Sequence, residues 1–315
     1  METRRKFIKK TGVASLLTLI PTVDLLAGEL NSTKKITILH TNDQHSRIEP
    51  FETSSDERTS NKGGFARRAS LIHKIRQEES NVLLLDAGDV FQGTPYFNFY
   101  GGELEYKLMT KMGYDASTIG NHEFDNGLIG IHNQLPHAGF DIICSNYDFS
   151  NTILEGKFKP YQIYKKEGIK IGVFGLGIEL EGLVGKDMYE ETKYLNPIET
   201  AQEMTRILRE EKQCDLVICL SHLGYEFKNE PEKVCDIYLA QKTSGIDLII
   251  GGHTHTFLLE PQQYLNLKGE LVLVNQVGWA GLYLGRIDFY LQNGKIQKHT
   301  AYHLSDYSIE QELLS

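Results

Sequence analysis

The sequence predicts an α/β fold, in which apolar strands alternate with helices along a chain of 315 residues. The apolar runs 82–85, 216–220 and 246–250 have the length and composition of buried strands, and segments with helical periodicity separate most such runs. Polar side chains follow directly after these runs. Because ligands bind at the carboxyl ends of strands in open α/β sheets, we expect these polar loops to meet in space.

The segment 1–28 is predicted to be a twin-arginine export signal, which would place the protein in the periplasm or elsewhere outside the cytoplasm. Arg4 and Arg5 are followed by Phe7 and by a short apolar stretch over residues 12–28. A basic amphipathic first helix is the alternative interpretation. Cleavage near Ala27 and retention as an anchor both stay open, and we expect contact with a membrane only if the signal is retained.

The charge balance excludes some partners. The whole chain has a formal net charge of −9, and the 28 basic and 40 acidic residues after position 28 give that part a net charge of −12. Such a balance disfavours a nucleic acid polymer or an anionic lipid surface as the main partner. The 287 residues that follow the signal allow one large domain or two small ones, at about 100–200 residues per domain.

The four cysteines are too few and too irregularly spaced to predict a disulfide scaffold. Cys144 and Cys219 lie inside apolar runs and are expected to be buried free thiols. A bridge between Cys214 and Cys235 stays open.

The first predicted strand, residues 35–40, runs into a loop that contains Asp43 and His45. In an extended segment residues i and i+2 point the same way, so this pair could bind a metal together. A solvated loop is the alternative for the pair alone.

A helix is predicted after Gly63-Gly64 and ends near Glu79. Its basic pair, Arg67 and Arg68, is interpreted as a solvated or salt-bridged face rather than as phosphate ligands.

The buried strand 82–85 leads into Asp86 and Asp89. Asp89 follows Gly88, where the backbone can approach closely, and is expected to face the site, whereas Asp86 is expected to be a supporting hydrogen-bond acceptor. The aromatic segment 90–100 could be a substrate lip, a docking surface, or a set of rings packed under the core.

The loop 120–125 contains the densest group of reactive side chains, and a helix is predicted after it, from about Leu128 to Ala138. Asn121 offers an amide to a metal, His122 can carry a proton, and the carboxylate of Asp125 lies three residues beyond that histidine. A hydrogen-bonded polar turn is the alternative for this loop taken alone.

Further elements complete the predicted alternation. They are a strand at 141–145, a hairpin over 161–174, a helix at 197–212, the strand 216–220 before His222, a helix at 231–242, the strand 246–250 before His253 and His255, and antiparallel strands from Leu271 onward.

Together these loops predict a metal centre. The candidate ligands are Asp43, His45, Asp89, Asn121, His222, His253 and His255. Seven nitrogen and oxygen ligands exceed what one ion needs and suit two divalent ions that share a bridging carboxylate. Because the set contains no thiolate, Mn, Zn, Fe or Mg is favoured, and the sequence does not choose among them.

These motifs resemble the five blocks of the calcineurin-like metallophosphoesterases, in the family's order. The blocks are Asp43-x-His45, Gly88-Asp89-x-x-x-Gly93, Gly120-Asn121-His122-Glu123, Ser221-His222 and Gly251-Gly252-His253-x-His255. Thr94-Pro95, Phe124-Asp125 and Gly63-Gly64-x-Ala66-Arg67-Arg68 resemble the 5′-nucleotidase branch more narrowly.

The resemblance implies a four-layer αββα sandwich and a role for each candidate residue. One ion would be held by Asp43, His45, Asp89 and His255, and the other by Asp89, Asn121, His222 and His253. His122 would stabilise the transition state and protonate the leaving group, held by Asp125. A metal-bridging hydroxide would then attack a phosphate monoester, most readily a 5′-nucleotide.

The 5′-nucleotidase family commonly has a second, C-terminal domain that binds the nucleoside, and we expect residues 29–315 to be the catalytic domain alone. The substrate is therefore expected to be a small phosphate ester, and a separately encoded nucleoside-binding protein is a possible partner. The alternatives are a phosphodiesterase or cyclic-nucleotide hydrolase, and a catalytic half that docks to such a chain.

Overall fold

The computed structural model describes residues 33–305, so the predicted export signal lies outside the described residues. The strands are β1 Lys34–Thr41, β2 Val82–Asp86, β3 Ala116–Ser117, β4 Asp141–Ile142, β5 Tyr147–Asp148, β6 Tyr161–Lys166, β7 Ile169–Leu176, β8 Lys193–Tyr194, β9 Leu216–Ser221, β10 Leu248–Gly251, β11 Gln262–Leu265, β12 Leu271–Asn275, β13 Leu284–Gln292 and β14 Lys295–Leu304. The α-helices are α1 Phe65–Glu78, α2 Pro95–Tyr100, α3 Glu103–Met112, α4 Gly127–Gln134, α5 Lys186–Tyr189, α6 Pro197–Arg206 and α7 Asp236–Lys242. Short 3₁₀ segments cover His122–Asn126 and Leu135–His137, and a π-helical turn, Ile207–Glu211, extends α6.

Two six-stranded sheets form the framework. The first has the strand order β14-β13-β1-β2-β3-β4, and the second has the order β11-β12-β10-β9-β7-β6. Within the first sheet β1 to β4 are parallel, and within the second β7, β9, β10 and β12 are parallel. Parallel strands end at the same edge of a sheet, so the loops that follow β1, β2 and β3 lie together, as do those that follow β9 and β10.

The main apolar core lies between the two sheets, because alternate side chains of the central strands point inward from both sides. Ile36 and Leu83 from the first sheet pack in one cluster with Val173, Ile218 and Ile250 from the second. A second cluster joins the outer face of the first sheet to helices α1 and α3, and a third joins the outer face of the second sheet to α6 and α7. The layers are therefore helix, sheet, sheet and helix, which confirms the predicted fold class.

Several element boundaries differ from the prediction. The strand predicted at 141–145 covers only Asp141–Ile142, and the helix predicted to end at Ala138 changes to a 3₁₀ turn after Gln134. The helix predicted from 231 begins at Asp236, whose backbone amide donates to the carbonyl of Gly224 at 2.8 Å. That bond anchors the start of α7 to the loop after β9.

The closing strands were predicted to be antiparallel throughout, and this is wrong for β12. This strand pairs in parallel with β10 and in antiparallel with the edge strand β11, which the prediction missed. β12 is buried from its second residue onward, so it extends the parallel part of the second sheet.

The prediction for the basic pair of α1 is wrong at Arg68, which is buried. Its guanidinium donates to the side chain of Gln44 and to the carbonyl of Gly281, and it lies over the ring of Phe65. Arg68 thus ties helix α1 to the loop after β1. Arg67 donates to the side chain and backbone of Asn61.

The aromatic segment 90–100 divides between core and surface. Phe91 and Phe97 are buried and stack 5.7 Å apart, whereas the side chains of Phe99 and Tyr100 are 82% and 52% exposed. All four cysteines are buried free thiols, so Cys214 and Cys235 do not form a bridge. Among residues 33–305, no helix has the length and apolar character needed to cross a membrane.

Candidate metal centre

The strand-end loops of both sheets bring the seven candidate ligands together. Asp43 and His45 follow β1, Asp89 follows β2 and Asn121 follows β3, all in the first sheet. His222 follows β9, and His253 and His255 follow β10, in the second sheet. The site therefore lies where the carboxyl ends of the two sheets meet.

Five of the seven candidates have a left-handed backbone. The φ angles are 48° at Asp43, 49° at His45, 54° at Asp89, 69° at His253 and 51° at His255. Residues other than glycine rarely adopt this conformation, and such strain persists mainly at functional sites, where the surrounding structure enforces it. The loops therefore hold these five residues in a strained backbone conformation that directs their side chains.

One group of potential ligands consists of Asp43, His45 and His255, whose ligand atoms lie within 4.8 Å of one another. The Nε2 atoms of His45 and His255 are 2.9 Å apart, and Asp43 Oδ1 is 3.4 Å from His255 Nε2. The backbone amide of His253 donates to both oxygens of Asp43, at 2.9 and 3.1 Å, which fixes that carboxylate.

The second group consists of Asp89, His222 and His253. Asp89 Oδ2 lies 3.0 Å from His222 Nε2, and the side-chain oxygen of Asn121 lies 2.9 Å from His253 Nδ1. Asp89 also forms a third group with His45 and His122. Asp89 therefore lies close to members of both ligand groups.

His222 provides a test of whether these residues fit a metal. Its Nδ1 donates to the carbonyl of Ala87 at 2.7 Å, so the lone pair that could bind a metal is that of the buried Nε2, which faces Asp89 Oδ2 at 3.0 Å. Burial lowers the pKa of His222, but the carboxylates of Asp89 and Asp43 raise it to about 10, so this position favours positive charge. A divalent cation would satisfy both the lone pair and the carboxylates, and the donor set of imidazole, carboxylate and amide suits Mn, Fe, Zn or Mg.

His122 lies at the rim of this cluster, with 32% of its side chain exposed. Its Nδ1 is 2.8 Å from Asp125 Oδ2, and its backbone amide donates to Asp89 Oδ1 at 2.9 Å. Burial lowers the pKa of His122, but the hydrogen bond to Asp125 and the charge of Asp89 raise it above its usual value. Because Asp125 holds Nδ1, the free nitrogen that could transfer a proton is Nε2.

Glu123 supports the site, a role that the sequence motifs did not predict. Its buried carboxylate accepts four backbone N–H groups, from Asp89 at 3.1 Å, Val90 at 2.8 Å, Phe91 at 3.3 Å and Gly120 at 2.6 Å. It therefore ties the loop after β2 to the loop after β3. The available signal was its place inside the Gly-Asn-His-Glu block.

Asn42 plays a similar part on the other side of the centre. Its amide donates to Asp43 Oδ2 at 2.5 Å and to the carbonyl of Gly278 at 2.6 Å, and its oxygen accepts from the amide of Val277 at 3.0 Å. Asn42 thus links the β1 loop to the chain after β12. Two of its partners lie in a segment far along the chain, so no local pattern could have indicated this role.

The two glycines of the central motifs permit close contact between loops. A Cβ atom on Gly120 would lie 2.2 Å from Asp89 Oδ1, and one on Gly88, where φ is +87°, would lie 2.7 Å from the amide nitrogen of Gly120. The expectation that the backbone approaches closely at Gly88 is consistent with this geometry.

Comparison with known proteins links this geometry to a family. The family model of calcineurin-like phosphoesterases matches residues 36–257. A snake venom 5′-nucleotidase from Gloydius brevicauda is 37% identical over 238 residues, which cover 71% of this chain and 37% of that protein. The trifunctional nucleotide phosphoesterase protein YfkN of Bacillus subtilis (strain 168) is 34% identical over 287 residues, which cover 80% of this chain and 18% of that protein.

Among solved structures, a 5′-nucleotidase precursor from Thermus thermophilus superimposes with a TM-score of 0.77 at 32% sequence identity. The match covers 89% of this chain and 58% of that one. The chain thus spans less than two thirds of the length of each of these three relatives.

Proposed function

The chain belongs to the calcineurin-like phosphoesterase family of metal-dependent hydrolases, and from this premise we propose that it hydrolyses phosphate monoesters, most readily 5′-nucleotides. The observation that carries the proposal is the convergence of seven ligand-type side chains with the His122–Asp125 pair at one edge of the two sheets. The names of the relatives, several of which are 5′-nucleotidases, support the nucleotide as substrate.

We assign the ligands to two divalent ions. Asp43, His45 and His255 would hold one ion, Asn121, His222 and His253 would hold the other, and Asp89 would contact both. The position of Asp89 close to members of both ligand groups supports this assignment. Bound ions would supply the nucleophile at neutral pH and offset the negative charge of the phosphate.

Side chains of the protein would orient the ester and supply a proton to its leaving oxygen. His122 would donate from Nε2 to the leaving oxygen, because its other ring nitrogen is held by Asp125 at 2.8 Å.

The test is hydrolysis of AMP, p-nitrophenyl phosphate and bis(p-nitrophenyl) phosphate by the purified chain with Mn²⁺, with Asp89→Asn as the inactive control. We expect turnover of both monoesters and its loss in the variant. A preference for the bis ester would instead identify a phosphodiesterase. Turnover of p-nitrophenyl phosphate without AMP would point to a separate nucleoside-binding chain.

We further propose that residues 29–315 form one catalytic domain and that residues 1–28 direct its export to an extracytoplasmic location. The support for export is the Arg4-Arg5 pair ahead of Phe7 and an apolar stretch. Replacing both arginines by lysine should retain the protein in the cytoplasm of a bacterium that has the twin-arginine pathway, as measured by cell fractionation. Unchanged export of the doubly substituted chain would contradict this.

A further inference from the structure

A cavity of about 220 Å³ opens directly onto the candidate metal centre. Its walls include His45, Arg47, Gln92, His122, His255 and Trp279. Two of these histidines are candidate ligands and a third, His122, is the candidate general acid, so a phosphate ester at the centre would occupy this space. Among these six residues, Arg47 is the permanently charged one.

Arg47 differs from Arg209 and Arg286, because no carboxylate pairs with its guanidinium among the described residues. Its Nε is buried and has no hydrogen-bond partner, and the structure shows no ion pair between its guanidinium and any residue within 33–305. By contrast, Arg209 binds Asp247 and Arg286 binds Asp288 at 2.9 Å. The positive charge of Arg47 is therefore available to an anionic group in the cavity that its side chain lines.

Aromatic rings hold Arg47 at the cavity. The guanidinium carbon lies 4.1 Å from the ring centre of Phe51, which meets the ring of Trp279 edge-on at 5.7 Å. Trp279 in turn stacks on His255, with 5.7 Å between ring centres and an interplanar angle of 7°. This apolar wall restricts the arginine and reduces the water around it, which strengthens its attraction to an anion.

The chemistry of a guanidinium identifies the ligand group. Its planar fork of N–H donors matches the oxygens of a phosphate group, and it keeps its charge at all working pH values. A monoester phosphate carries two negative charges and three terminal oxygens, whereas a diester carries one charge and two such oxygens. A fixed cation at this position would therefore bind a monoester more strongly than a diester.

We propose that Arg47 binds the phosphate group of the substrate and sets the preference of this site for monoester dianions over diesters. This inference rests on the proposed function, since it names the residue that selects the substrate class. Arg47 is a substrate-binding residue, and the residues that hold the ions and the proton are different ones.

Arg47→Met keeps the stem and removes the charge. In the Mn²⁺-loaded protein it should weaken the binding of inorganic phosphate about tenfold or more by calorimetry, and raise the KM for p-nitrophenyl phosphate by a similar factor. The KM for bis(p-nitrophenyl) phosphate should change less than threefold, and added guanidinium ion should partly restore monoester hydrolysis. Arg58→Met is the matched control, because Arg58 is exposed and pairs with Asp56 at 2.9 Å; it should leave both constants unchanged.

The outcomes separate this inference from the proposed function. If the wild-type protein hydrolyses neither ester, the proposed function fails, and the phosphate titration still decides the role of Arg47. If Arg47→Met binds phosphate as the wild type does, or weakens both esters equally, the inference is overturned while the phosphoesterase proposal stands. The melting temperature of the variant shows whether an equal loss comes from unfolding.

Discussion

At the scale of single residues, the hydrogen bond between His122 and Asp125 leads to a prediction about how catalysis depends on the leaving group. Hydrolysis of AMP releases a strongly basic alkoxide, which must be protonated. Hydrolysis of p-nitrophenyl phosphate releases a weakly basic phenolate, which needs no proton. We expect His122→Asn to lower kcat for AMP by about 10²–10⁴, the usual contribution of a general acid. Because the phenolate does not require the acid, the loss on p-nitrophenyl phosphate should be at least tenfold smaller.

Asp125→Asn is the companion variant, since it keeps the shape of the partner and removes its charge. It should lower kcat for AMP less than His122→Asn does, because the imidazole remains in place. Equal losses on both substrates in His122→Asn would contradict a proton-donor role and would leave only transition-state stabilisation.

Glu123 carries the second prediction at this scale. Its carboxylate accepts four backbone N–H groups. The amide of a glutamine at this position would keep one acceptor oxygen and replace the other with an NH₂ group, which donates and cannot accept. We expect Glu123→Gln to destabilise the fold by about 1–3 kcal/mol. Because Asp89 lies in the supported loop, metal affinity should also fall by about 10–100-fold.

Urea unfolding and Mn²⁺ titration measure the two effects of Glu123→Gln. Glu103→Gln is the matched control, because Glu103 lies at the surface and pairs with Lys107 in the next turn of helix α3. Unchanged metal affinity in Glu123→Gln would show that the loop after β2 keeps its shape without this carboxylate.

At the scale of elements, continuous apolar runs were sufficient to predict the central strands. β2, β9 and β10 are buried along their whole length, and short runs of leucine and β-branched residues are typical of buried parallel strands. The strand predicted at 141–145 forms only the two-residue β4, because the length of a strand depends on how far its partner, here the two-residue β3, runs beside it. The direction of β12 depends on its partner strand, which its own sequence does not specify.

The candidate site likewise contains residues that the sequence predicts and residues that it does not. The side chains that converge follow apolar strands immediately, so strand-end position was enough to bring them together. Asn42 and Glu123 act through the backbone of other segments, and Arg47 lines the cavity beside residues from other loops. The contacts of Asn42 and the position of Arg47 arise only when the loops are folded against one another, so motif spacing alone could not identify them. Glu123 is different, since it stands inside the Gly-Asn-His-Glu block.

His40, inside β1, gives a prediction of pH dependence. It is fully buried, accepts from Asn275 Nδ2 at 3.0 Å, and burial together with His303 lowers its pKa to about 3 from 6.5. Below pH 6.5 the unfolded chain therefore binds a proton at His40 that the folded chain does not bind. The contribution of His40 to the free energy of unfolding is complete above pH 6.5 and is lost as the pH falls toward 3. At pH 5 the loss is about 2 kcal/mol.

His40→Gln keeps an acceptor for Asn275 and removes the titration. Between about pH 7 and pH 5, its free energy of unfolding should fall by about 2 kcal/mol less than that of the wild type. Urea unfolding in EDTA measures this, because the chelator removes the pH dependence of metal binding. His73→Gln, at an exposed position of helix α1, is the control and should follow the wild type. If His40→Gln has the same pH slope as the wild type, His40 does not titrate as burial predicts.

At the scale of the whole molecule, the candidate metal centre lies across the boundary between the two sheets. Four candidate ligands follow strands of the first sheet and three follow strands of the second. The bonds of His253 to Asp43 and Asn121 cross the same boundary. Ions bound there would hold the two halves together, in addition to the apolar core between the sheets.

Metal binding should therefore stabilise the whole fold rather than one loop. A ligand that binds only the folded state adds about 4 kcal/mol to the free energy of unfolding at a concentration about 1,000 times its Kd. We expect saturating Mn²⁺ to raise the stability of the wild type by about this amount in a single cooperative transition, because both sheets share one core. In Asp89→Asn, which loses the carboxylate close to members of both ligand groups, the gain should fall to less than half. Urea unfolding of each protein with Mn²⁺ and with EDTA gives the gain within each variant and so cancels any effect of the substitution on the metal-free fold. An equal gain in both proteins would mean that the ions do not bind through Asp89 and that the assignment of ligands is wrong.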